Sequence, residues 1–366
     1  MTTTTPLLEV NGLSVLRGGV QVLDIPSLFL QEHEVLSIIG PNGSGKSTLL
    51  LTLASLLQPT AGEMRCRGEI ISSRRSSDIY RRRLAMVFQE PLLFDTTVFE
   101  NVATGLKIRG ISSNETKGRV QMSLELFNIQ HLADRSARKL SGGEAQRTSL
   151  ARAFAINPEI VLLDEPFASL DPPTRLALTE DLEQILKKTG TAAVMATHDQ
   201  LDALRLSDRM AVMMAGRIIQ DGPPVEVMHR PADEFVASFV GMENVLDGKV
   251  VAHKEGLLTV TLADHLIEFP GMSAPGDKAL FCIRPEHITI TISDPGGTTS
   301  ARNIFPATIM KIIPMGAYHK LYLECGFPLV ACLTSQSLGT LQLAEGTRIF
   351  ASFKATAVHL IRSGAI

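Results

Sequence analysis

Short apolar runs alternate with longer helical stretches over about the first 235 residues of the chain. Four of these runs are rich in Val, Ile, Leu, Met and Ala and lie at residues 34–40, 83–89, 159–165 and 191–198. Runs of this kind are typical of strands buried on both faces of a mostly parallel sheet. A long polar stretch at about 98–155 predicts a helical insertion between the second and third strands. Residues 1–235 are therefore expected to form an α/β domain.

The pattern changes after about Gly241, where short β-rich segments are separated by Gly, Pro and Asp. The clearest of them read "VLDGKVV", "LLTVTL", "ALFCIRP", "ITITI", "ATIMKII", "KLYLEC" and "LVACLT". Many short strands divided by turn residues favour a small all-β domain. We expect residues 241–366 to form a small all-β barrel of the OB-like kind.

Composition narrows the class of protein only modestly. The chain has 366 residues, of which 45% are hydrophobic and 20% charged, and its formal net charge of −3 gives no reason to expect nucleic-acid binding. The basic run at residues 74–83 contains a single aromatic residue, Tyr80, and is interpreted as a solvated loop with a helix start. The start of the chain has no signal-peptide pattern, and no apolar run approaches the ~18 residues of a membrane span. A soluble protein is expected, with any membrane role supplied by a partner.

The four cysteines, Cys66, Cys282, Cys325 and Cys332, show no metal-binding spacing. They are expected to be small buried residues in a reducing compartment.

A glycine-rich phosphate loop follows the first apolar run. The segment "GPNGSGKS" fits the pattern G-x-x-x-x-G-K-[ST] and lies between a predicted strand and a predicted helix. Backbone N–H groups of such a loop surround phosphates, while Lys46 reaches the β- and γ-phosphates and Ser47 is a ligand of Mg²⁺. The predicted nucleotide-binding residues here are Gly40, Pro41, Asn42, Gly43, Ser44, Gly45, Lys46, Ser47 and Thr48.

Polar side chains end three other predicted strands. Asp164 and Glu165 close an apolar strand, and carboxylates there are costly unless a polar group meets them. Asp164 is expected to hold Mg²⁺ and Glu165 to polarise the attacking water. Gln89 can contact Mg²⁺ or that water and sense the γ-phosphate, and His198 can contact the γ-phosphate. ATP and Mg²⁺ are the implied cofactors, with Glu165, His198 and Gln89 as catalytic candidates and Ser47, Gln89 and Asp164 as metal ligands.

A second glycine-rich segment, "KLSGGEAQR" at residues 139–147, opens another predicted helix. Free N–H groups and the helix dipole make such a helix start suitable for an anion. The chain thus carries two glycine-rich anion cradles.

The phosphate loop, Gln89, "LSGGE", "LLDEP", "SLD" and "TH" resemble, in order and rough spacing, the ATPase domains of ATP-binding cassette (ABC) proteins. The usual signature is "LSGGQ", and Glu144 replaces its Gln. The resemblance implies a P-loop NTPase fold with a helical subdomain and a head-to-tail homodimer. In that dimer Ser141, Gly142, Gly143 and Asp171 act in trans on the other subunit's ATP. Family members usually stack an aromatic ring on adenine, whereas Arg17 stands at about that place and offers a guanidinium plane.

Residues 89–110 resemble the importer branch of this family, which implies integral-membrane permease partners and a periplasmic or extracellular substrate-binding protein. The chain would then lie at the cytoplasmic face of the membrane, peripheral through the permease. A single cassette without a coiled-coil insertion disfavours the soluble members that act on DNA or ribosomes.

The C-terminal segment resembles the TOBE and molybdate-binding (MOP) barrel domains of importers. The match is carried by "FCIRPEHITI", "SARN" and "ACLTSQSLGTLQLAEGTRIFASFKATAV". The resemblance implies an oxyanion site built from Ser300, Arg302, Thr334, Ser337 and Lys354. Six basic and two acidic residues give residues 296–366 a net charge of +4, which suits an anion.

Molybdate or tungstate is therefore the expected cargo. Sulfate, ferric iron or another solute, or an oxyanion-sensing regulatory ATPase, remain as alternatives. Polyamine is disfavoured by the basic barrel.

Overall fold

A computed structural model of the chain describes residues 5–296 and 299–364. The fold divides into two compact units, of which the first ends at Val225 and the second begins at Glu226. The first unit contains two sheets and most of the helices. The second consists of antiparallel strands with a few short helices.

The first unit combines a small antiparallel sheet with a larger, mostly parallel one. The antiparallel sheet has the strand order β2-β1-β4-β5, and the larger sheet has the order β10-β9-β3-β8-β7-β6, with only β10 antiparallel to its neighbour. The strands are β1 (Leu8–Arg17), β2 (Val20–Leu30), β3 (Val35–Ile39), β4 (Ala61–Cys66), β5 (Glu69–Ile70), β6 (Leu84–Val87), β7 (Ile160–Asp164), β8 (Ala192–Thr197), β9 (Arg209–Met214) and β10 (Arg217–Gly222). The four strands expected from the apolar runs are confirmed as β3, β6, β7 and β8.

Helices cover the parallel sheet and form the insertion between β6 and β7. They are α1 (Lys46–Leu53), α2 (Arg74–Arg83), α3 (Val98–Ile108), α4 (Ser113–Leu126), α5 (Gly142–Phe154), α6 (Pro172–Thr189) and α7 (Gln200–Leu206). Two short helices follow along the chain: α8 (Pro224–His229), where the two units divide, and α9 (Glu234–Phe239), in the second unit. Each helix from α2 to α7 begins at a side-chain cap, and these caps are Ser73, Thr97, Ser112, Ser141, Asp171 and Asp199. A cap oxygen satisfies a backbone N–H that the helix itself leaves free.

The parallel sheet separates two hydrophobic cores. In β7, Ile160 and Leu162 face the core that contains α1 and the antiparallel sheet, whereas Val161 and Leu163 face the core formed with α3, α4 and α5. Successive side chains of a strand point to opposite faces, so a strand between two cores must be apolar at every position. This is the physical origin of the apolar runs in the sequence.

The second unit contains two antiparallel sheets of five strands each. Their orders are β13-β12-β11-β14-β20 and β15-β19-β16-β17-β18. The strands are β11 (Asn244–Lys254), β12 (Leu257–Leu262), β13 (His265–Pro270), β14 (Lys278–Ile283), β15 (Thr289–Thr291), β16 (Asn303–Pro314), β17 (Tyr318–Glu324), β18 (Pro328–Thr334), β19 (Arg348–Phe353) and β20 (Val358–Gly364), with α10 (Ser335–Thr340) after β18. Both sheets contribute to one hydrophobic core, which gives the barrel-like arrangement expected from the sequence.

Two buried asparagines join the sheets of this unit in equivalent ways. Asn303 begins β16, and its side chain accepts from the backbone N–H of Glu268 and donates to the Glu268 carbonyl. Asn244 begins β11 and makes the same pair of bonds with the backbone of Val330. Because the buried amides satisfy backbone groups on the opposite sheet, they fix how the two sheets meet.

Three further expectations can be compared with the fold. The basic run at residues 74–83 forms a complete helix, α2, rather than a loop with a helix start. Cys66, Cys282 and Cys325 are buried, whereas Cys332 is half-buried, and all four are unpaired. Burial raises the pKa of the Cys325 thiol to about 12. Within the part of the chain that the structure describes, no helix is long and apolar enough to cross a membrane.

Candidate nucleotide-binding site

The phosphate loop occupies the turn from β3 into α1. Gly43 and Gly45 have φ angles of 80° and 106°, a region that favours glycine. A Cβ atom at Gly40 would lie 2.2 Å from the carbonyl oxygen of Met213, so a side chain cannot be accommodated there. The N-terminus of α1 has no side-chain cap. Its N–H groups therefore remain available to an anion.

Lys46 is held inside this loop. Its ammonium group donates to the carbonyl oxygens of Gly40 at 2.8 Å and Pro41 at 3.2 Å, and it lies 3.8 Å from a carboxylate oxygen of Glu165. The side chain is only 6% exposed, and burial lowers the pKa of the Lys46 ammonium. A desolvated cation of this kind interacts more strongly with an entering phosphate than one in open water does.

Ser47 and Asp164 meet beside Lys46. The Ser47 hydroxyl donates to an Asp164 carboxylate oxygen at 3.0 Å. Burial is the main cause that raises the pKa of the Asp164 carboxyl, and the hydrogen bond from Ser47 opposes it. Two adjacent oxygen donors, one of them a carboxylate, are the kind of ligand set that Mg²⁺ takes together with phosphate oxygens.

Glu165 and His198 meet one step further along the same edge of the sheet. Because β7 and β8 are parallel neighbours with Asp164 beside Ala196, the residues that follow them emerge together. His198 Nδ1 lies 2.5 Å from Glu165 Oε2. Glu165 has a φ angle of 48°, a conformation that a residue with a side chain rarely adopts. This backbone strain coincides with the position expected to polarise water.

Part of the phosphate loop and Glu165 line a cavity of about 430 Å³, whereas Asp164 and His198 contact its lining residues from outside. It is lined by Arg17, Gln21, Val22, Asn42, Gly43, Gly45, Lys46, Ser47, Thr48, Gln89, Glu165, Ala215 and Gly216. The structure thus brings Gln89 and Glu165 to the same cavity as the phosphate loop. Arg17 lies on its wall, and the described lining residues include no aromatic ring.

The second glycine cradle lies outside that cavity. Ser141 and Gly142 are exposed at the start of α5, and neither lines the cavity with Lys46. The Ser141 hydroxyl accepts from the N–H of Glu144, while the Glu144 carboxylate accepts from the N–H of Ser141. This reciprocal capping explains why Glu serves at the position where the signature usually has Gln. The hydrogen bond from the Ser141 backbone also lowers the pKa of the Glu144 carboxyl.

Asp171 caps the next helix of the site. Its carboxylate accepts from the N–H of Thr174 at 3.2 Å, and its side chain remains exposed. A Cβ atom on Gly143 would lie 2.7 Å from the Thr174 methyl group, so α5 and α6 approach closely at this point. The candidate residues expected to act in trans therefore lie together on a surface of the first unit.

The five oxyanion candidates fall into two groups in the second unit. Asn303 pairs with Phe353, which brings Arg302 beside Lys354, with Ser300 nearby in the chain. Thr334 and Ser337 lie 2.9 Å apart at the start of α10, next to the far end of β16. The two groups are separated on the order of 30 Å along that strand, at about 3.3 Å per residue. One copy of the unit does not bring all five together.

Comparisons with known proteins find relatives of both parts of the chain. The ABC transporter family model matches residues 23–168, and the TOBE domain model matches residues 299–360. The molybdate/tungstate import ATP-binding protein of Pyrococcus horikoshii is 40% identical over 336 residues, which are 91% of this chain and 94% of that protein. The Fe(3+) ions import ATP-binding protein of Streptomyces avermitilis is 42% identical over 67% of this chain and 70% of that protein.

A solved structure of an ATP-binding cassette, dimeric and bound to ADP and Pi in a post-hydrolysis state, is 28% identical. It covers 59% of this chain and 98% of that one, with a TM-score of 0.55. The fold and the cavity thus define an ATP-binding and ATP-hydrolysing P-loop protein. The chain belongs to the ABC transporter family, among the import ATP-binding subunits that carry a C-terminal TOBE domain.

Asp164 should lower the stability of the nucleotide-free protein in a pH-dependent way. Its pKa is raised above the ordinary value of 3.8, so the folded state holds the proton more tightly than the unfolded state does. The free energy of unfolding must then fall as the pH rises from the ordinary value of 3.8 through the raised pKa. At pH 8, Asp164→Asn is expected to raise the unfolding temperature by about 2–4 °C, and at pH 4 the gain should nearly vanish.

Thermal unfolding of the nucleotide-free protein at both pH values checks this expectation. Asp134→Asn, at an exposed position, is the matched control and should change neither temperature. A lower unfolding temperature of Asp164→Asn, or an increase that does not depend on pH, would contradict the conclusion that burying the Asp164 carboxylate destabilises the protein.

Proposed function

We propose that this ATPase works as a head-to-tail homodimer that drives a membrane importer of molybdate or tungstate. The main support for the dimer is that the two glycine cradles, the phosphate loop and the segment that begins at Ser141, lie apart in one copy. Lys46, Ser47, Gln89 and Glu165 meet in or beside one cavity, whereas the cradle at Ser141 opens on another surface of the same unit. Two copies arranged head to tail would complete two composite sites.

The residues of the cavity divide the chemistry between them. Lys46 holds the β- and γ-phosphates, and the N–H groups of residues 40–48 surround them. Glu165 accepts hydrogen bonds from the attacking water, and His198, 2.5 Å from it, orients that carboxylate and faces the γ-phosphate. Ser47 and Asp164 fit Mg²⁺, which when bound would neutralise phosphate charge, and Gln89 lies within the same cavity. Phosphoryl transfer needs little from the protein beyond positioning and charge stabilisation.

The partner copy supplies donors that this cavity lacks. Ser141, Gly142 and Gly143 would bind the γ-phosphate held by the other subunit, and Asp171 would lie at the interface. ATP binding would then close the dimer, and hydrolysis would reopen it. The permease pair follows these movements, delivering solute from a periplasmic or extracellular binding protein. The chain would lie at the cytoplasmic face of the membrane through that permease.

Two observations support an oxyanion cargo over ferric iron or another solute. The relative from Pyrococcus horikoshii, named for molybdate and tungstate import, matches 94% of its own length, whereas the iron relative matches 70%. The region that follows residue 296 is basic, with a net charge of +4 from six basic and two acidic residues. Basic residues there suit a tetrahedral dianion.

We further propose that the C-terminal unit binds this oxyanion where two copies meet. Arg302 and Lys354 lie beside the start of β16, and Thr334 and Ser337 lie next to its far end. A contact between two such units could bring Arg302 and Lys354 of one copy close to Thr334 and Ser337 of the other copy. Arg302 already pairs with Glu268 at 3.0 Å, so an arriving anion competes with that carboxylate. Occupancy would favour one dimer state through its differential affinity.

Exchanging the water-polarising acid should trap the dimer, whereas removing the phosphate-binding lysine should not. With Mg-ATP, Glu165→Gln is expected to accumulate as a dimer in size-exclusion chromatography, because ATP binds and is not hydrolysed. Lys46→Ala is expected to bind nucleotide weakly and to stay monomeric. Glu183→Gln, on the exposed side of α6, is the control and should behave as wild type. Hydrolysis by Glu165→Gln at the wild-type rate would contradict its role.

A mixture of two inactive variants tests whether Ser141 acts across the interface. Ser141→Arg and Lys46→Ala each break both sites of a homodimer, but a heterodimer keeps one complete site. Mixing them should therefore restore part of the ATP-dependent dimer closure, measured by light scattering. If the mixture closes no better than either variant alone, the sites are not shared between subunits.

The oxyanion site is tested by calorimetric titration with tungstate and molybdate. Lys354→Ala should weaken binding about tenfold or more, since a charge-assisted hydrogen bond contributes roughly 1.5–3 kcal/mol. Glu268→Gln should strengthen it by about threefold, because the internal competitor for Arg302 is removed. Lys254→Ala, which removes an exposed cation from β11, is the control. Absence of binding to wild type at millimolar concentration would leave the unit as a dimerisation module.

A further inference from the structure

A single arginine connects the starts of two helices beside the ATP site. Arg175 lies one turn into α6, the helix that Asp171 caps. Its guanidinium reaches α7, the helix that begins two residues after His198 and is capped by Asp199. Asp171, at the start of α6, is assigned above to the ATP of the other subunit, whereas His198, just before α7, is assigned to the ATP of its own subunit. The contact of Arg175 therefore connects segments that serve two different ATP molecules.

The contact has the geometry of a fork. Arg175 Nη2 lies 2.5 Å from Asp202 Oδ2 and 2.7 Å from Asp199 Oδ2, while Nε donates to Asp202 Oδ1 at 3.3 Å. A guanidinium can serve several acceptors in one plane, which a lysine ammonium cannot do with the same directionality. Three contacts from two nitrogen atoms of one side chain therefore fix the position of α7 relative to α6.

Burial makes this arrangement energetically demanding. Asp202 is 8% exposed, and burial is the main cause that raises the pKa of its carboxyl, against the opposing effect of Arg175. The hydrogen bond to Asp202 in turn raises the pKa of the Arg175 guanidinium. Without Arg175, two neighbouring carboxylates would lose their shared cation, and one of them lies almost out of water.

Asp199 connects Arg175 to the turn that contains His198. It follows His198 directly, and its carboxylate caps α7 by accepting from the N–H groups of Leu201 at 2.8 Å and Asp202 at 3.2 Å. Its own N–H donates to the Thr197 hydroxyl at the end of β8. The turn that contains His198 is therefore held from both sides, and His198 in turn contacts Glu165.

We propose that Arg175 is a positioning residue that links Asp171 to His198. It keeps His198 aligned with Glu165 and transmits a displacement at the partner-facing start of α6 to the hydrolytic turn. This inference rests on the proposed roles of His198 and Asp171 and is independent of the cargo. Lys46 and the phosphate loop are not part of the network, so ATP affinity should be maintained when it is broken.

Steady-state ATPase kinetics of the full chain test this role. Arg175→Met, which keeps an unbranched apolar stem and removes the fork, is expected to lower kcat about tenfold or more and leave KM for ATP within about twofold. Arg175→Lys should recover part of the loss, because it retains the charge. Lys187→Met, which breaks an exposed ion pair on the same helix, should match wild type.

A double variant separates positioning from stability. Arg175→Met combined with Asp202→Leu replaces a charged pair by apolar side chains, so thermal stability should recover. We expect kcat to stay low, because Asp199 still lacks its contact with α6. Recovery of kcat together with stability, an unchanged kcat in Arg175→Met, or a loss confined to KM would each overturn the proposal. An inactive wild-type protein would instead contradict the assignment as an ATPase.

Discussion

A lysine and two carboxylates, brought together away from bulk water, are the constraint on which the rest of the structure depends. Lys46 and Glu165 are 6% and 12% exposed and lie 3.8 Å apart, with Asp164 beside them. Charges in such a place are costly unless polar groups meet them. The phosphate loop meets Lys46 with carbonyl oxygens, and Ser47 meets Asp164. Gly40 lets the loop pass close to the Met213 carbonyl, and Glu165 has a positive φ angle at the point where it reaches Lys46.

The same edge of the sheet explains why we propose a site that two copies share. Strands β3, β7 and β8 deliver the phosphate loop, the two acids and His198 to neighbouring positions, because they are parallel and adjacent. The signature cradle belongs instead to α5, whose capped start faces solvent. The backbone N–H groups of Gly142 and Gly143, which precede the capped N–H of Glu144, are suited to a phosphate brought by another molecule. The separation of the cradles and the proposed dimer therefore have one physical origin.

Strands that are buried on both faces could be predicted from the sequence, because they form uninterrupted apolar runs. Strand β7 lies between two cores, so each of its positions is apolar and the run is visible without a structure. Strands β1 and β2 are buried mainly on one face, and β13 is short and begins at His265, so their mixed patterns gave no comparable signal. The phosphate loop was recognisable because its residues are consecutive. The contacts of Arg175 with Asp199 and Asp202 depend on the packing of two helices, which no local pattern records.

A structure of the Glu165→Gln protein with Mg-ATP would show whether two subunits share each nucleotide. We expect a two-fold dimer containing two ATP molecules. Each γ-phosphate should contact Lys46 of one subunit and Ser141 with Gly143 of the other. A nucleotide enclosed by residues of a single chain, with Ser141 facing solvent, would rule out the shared site.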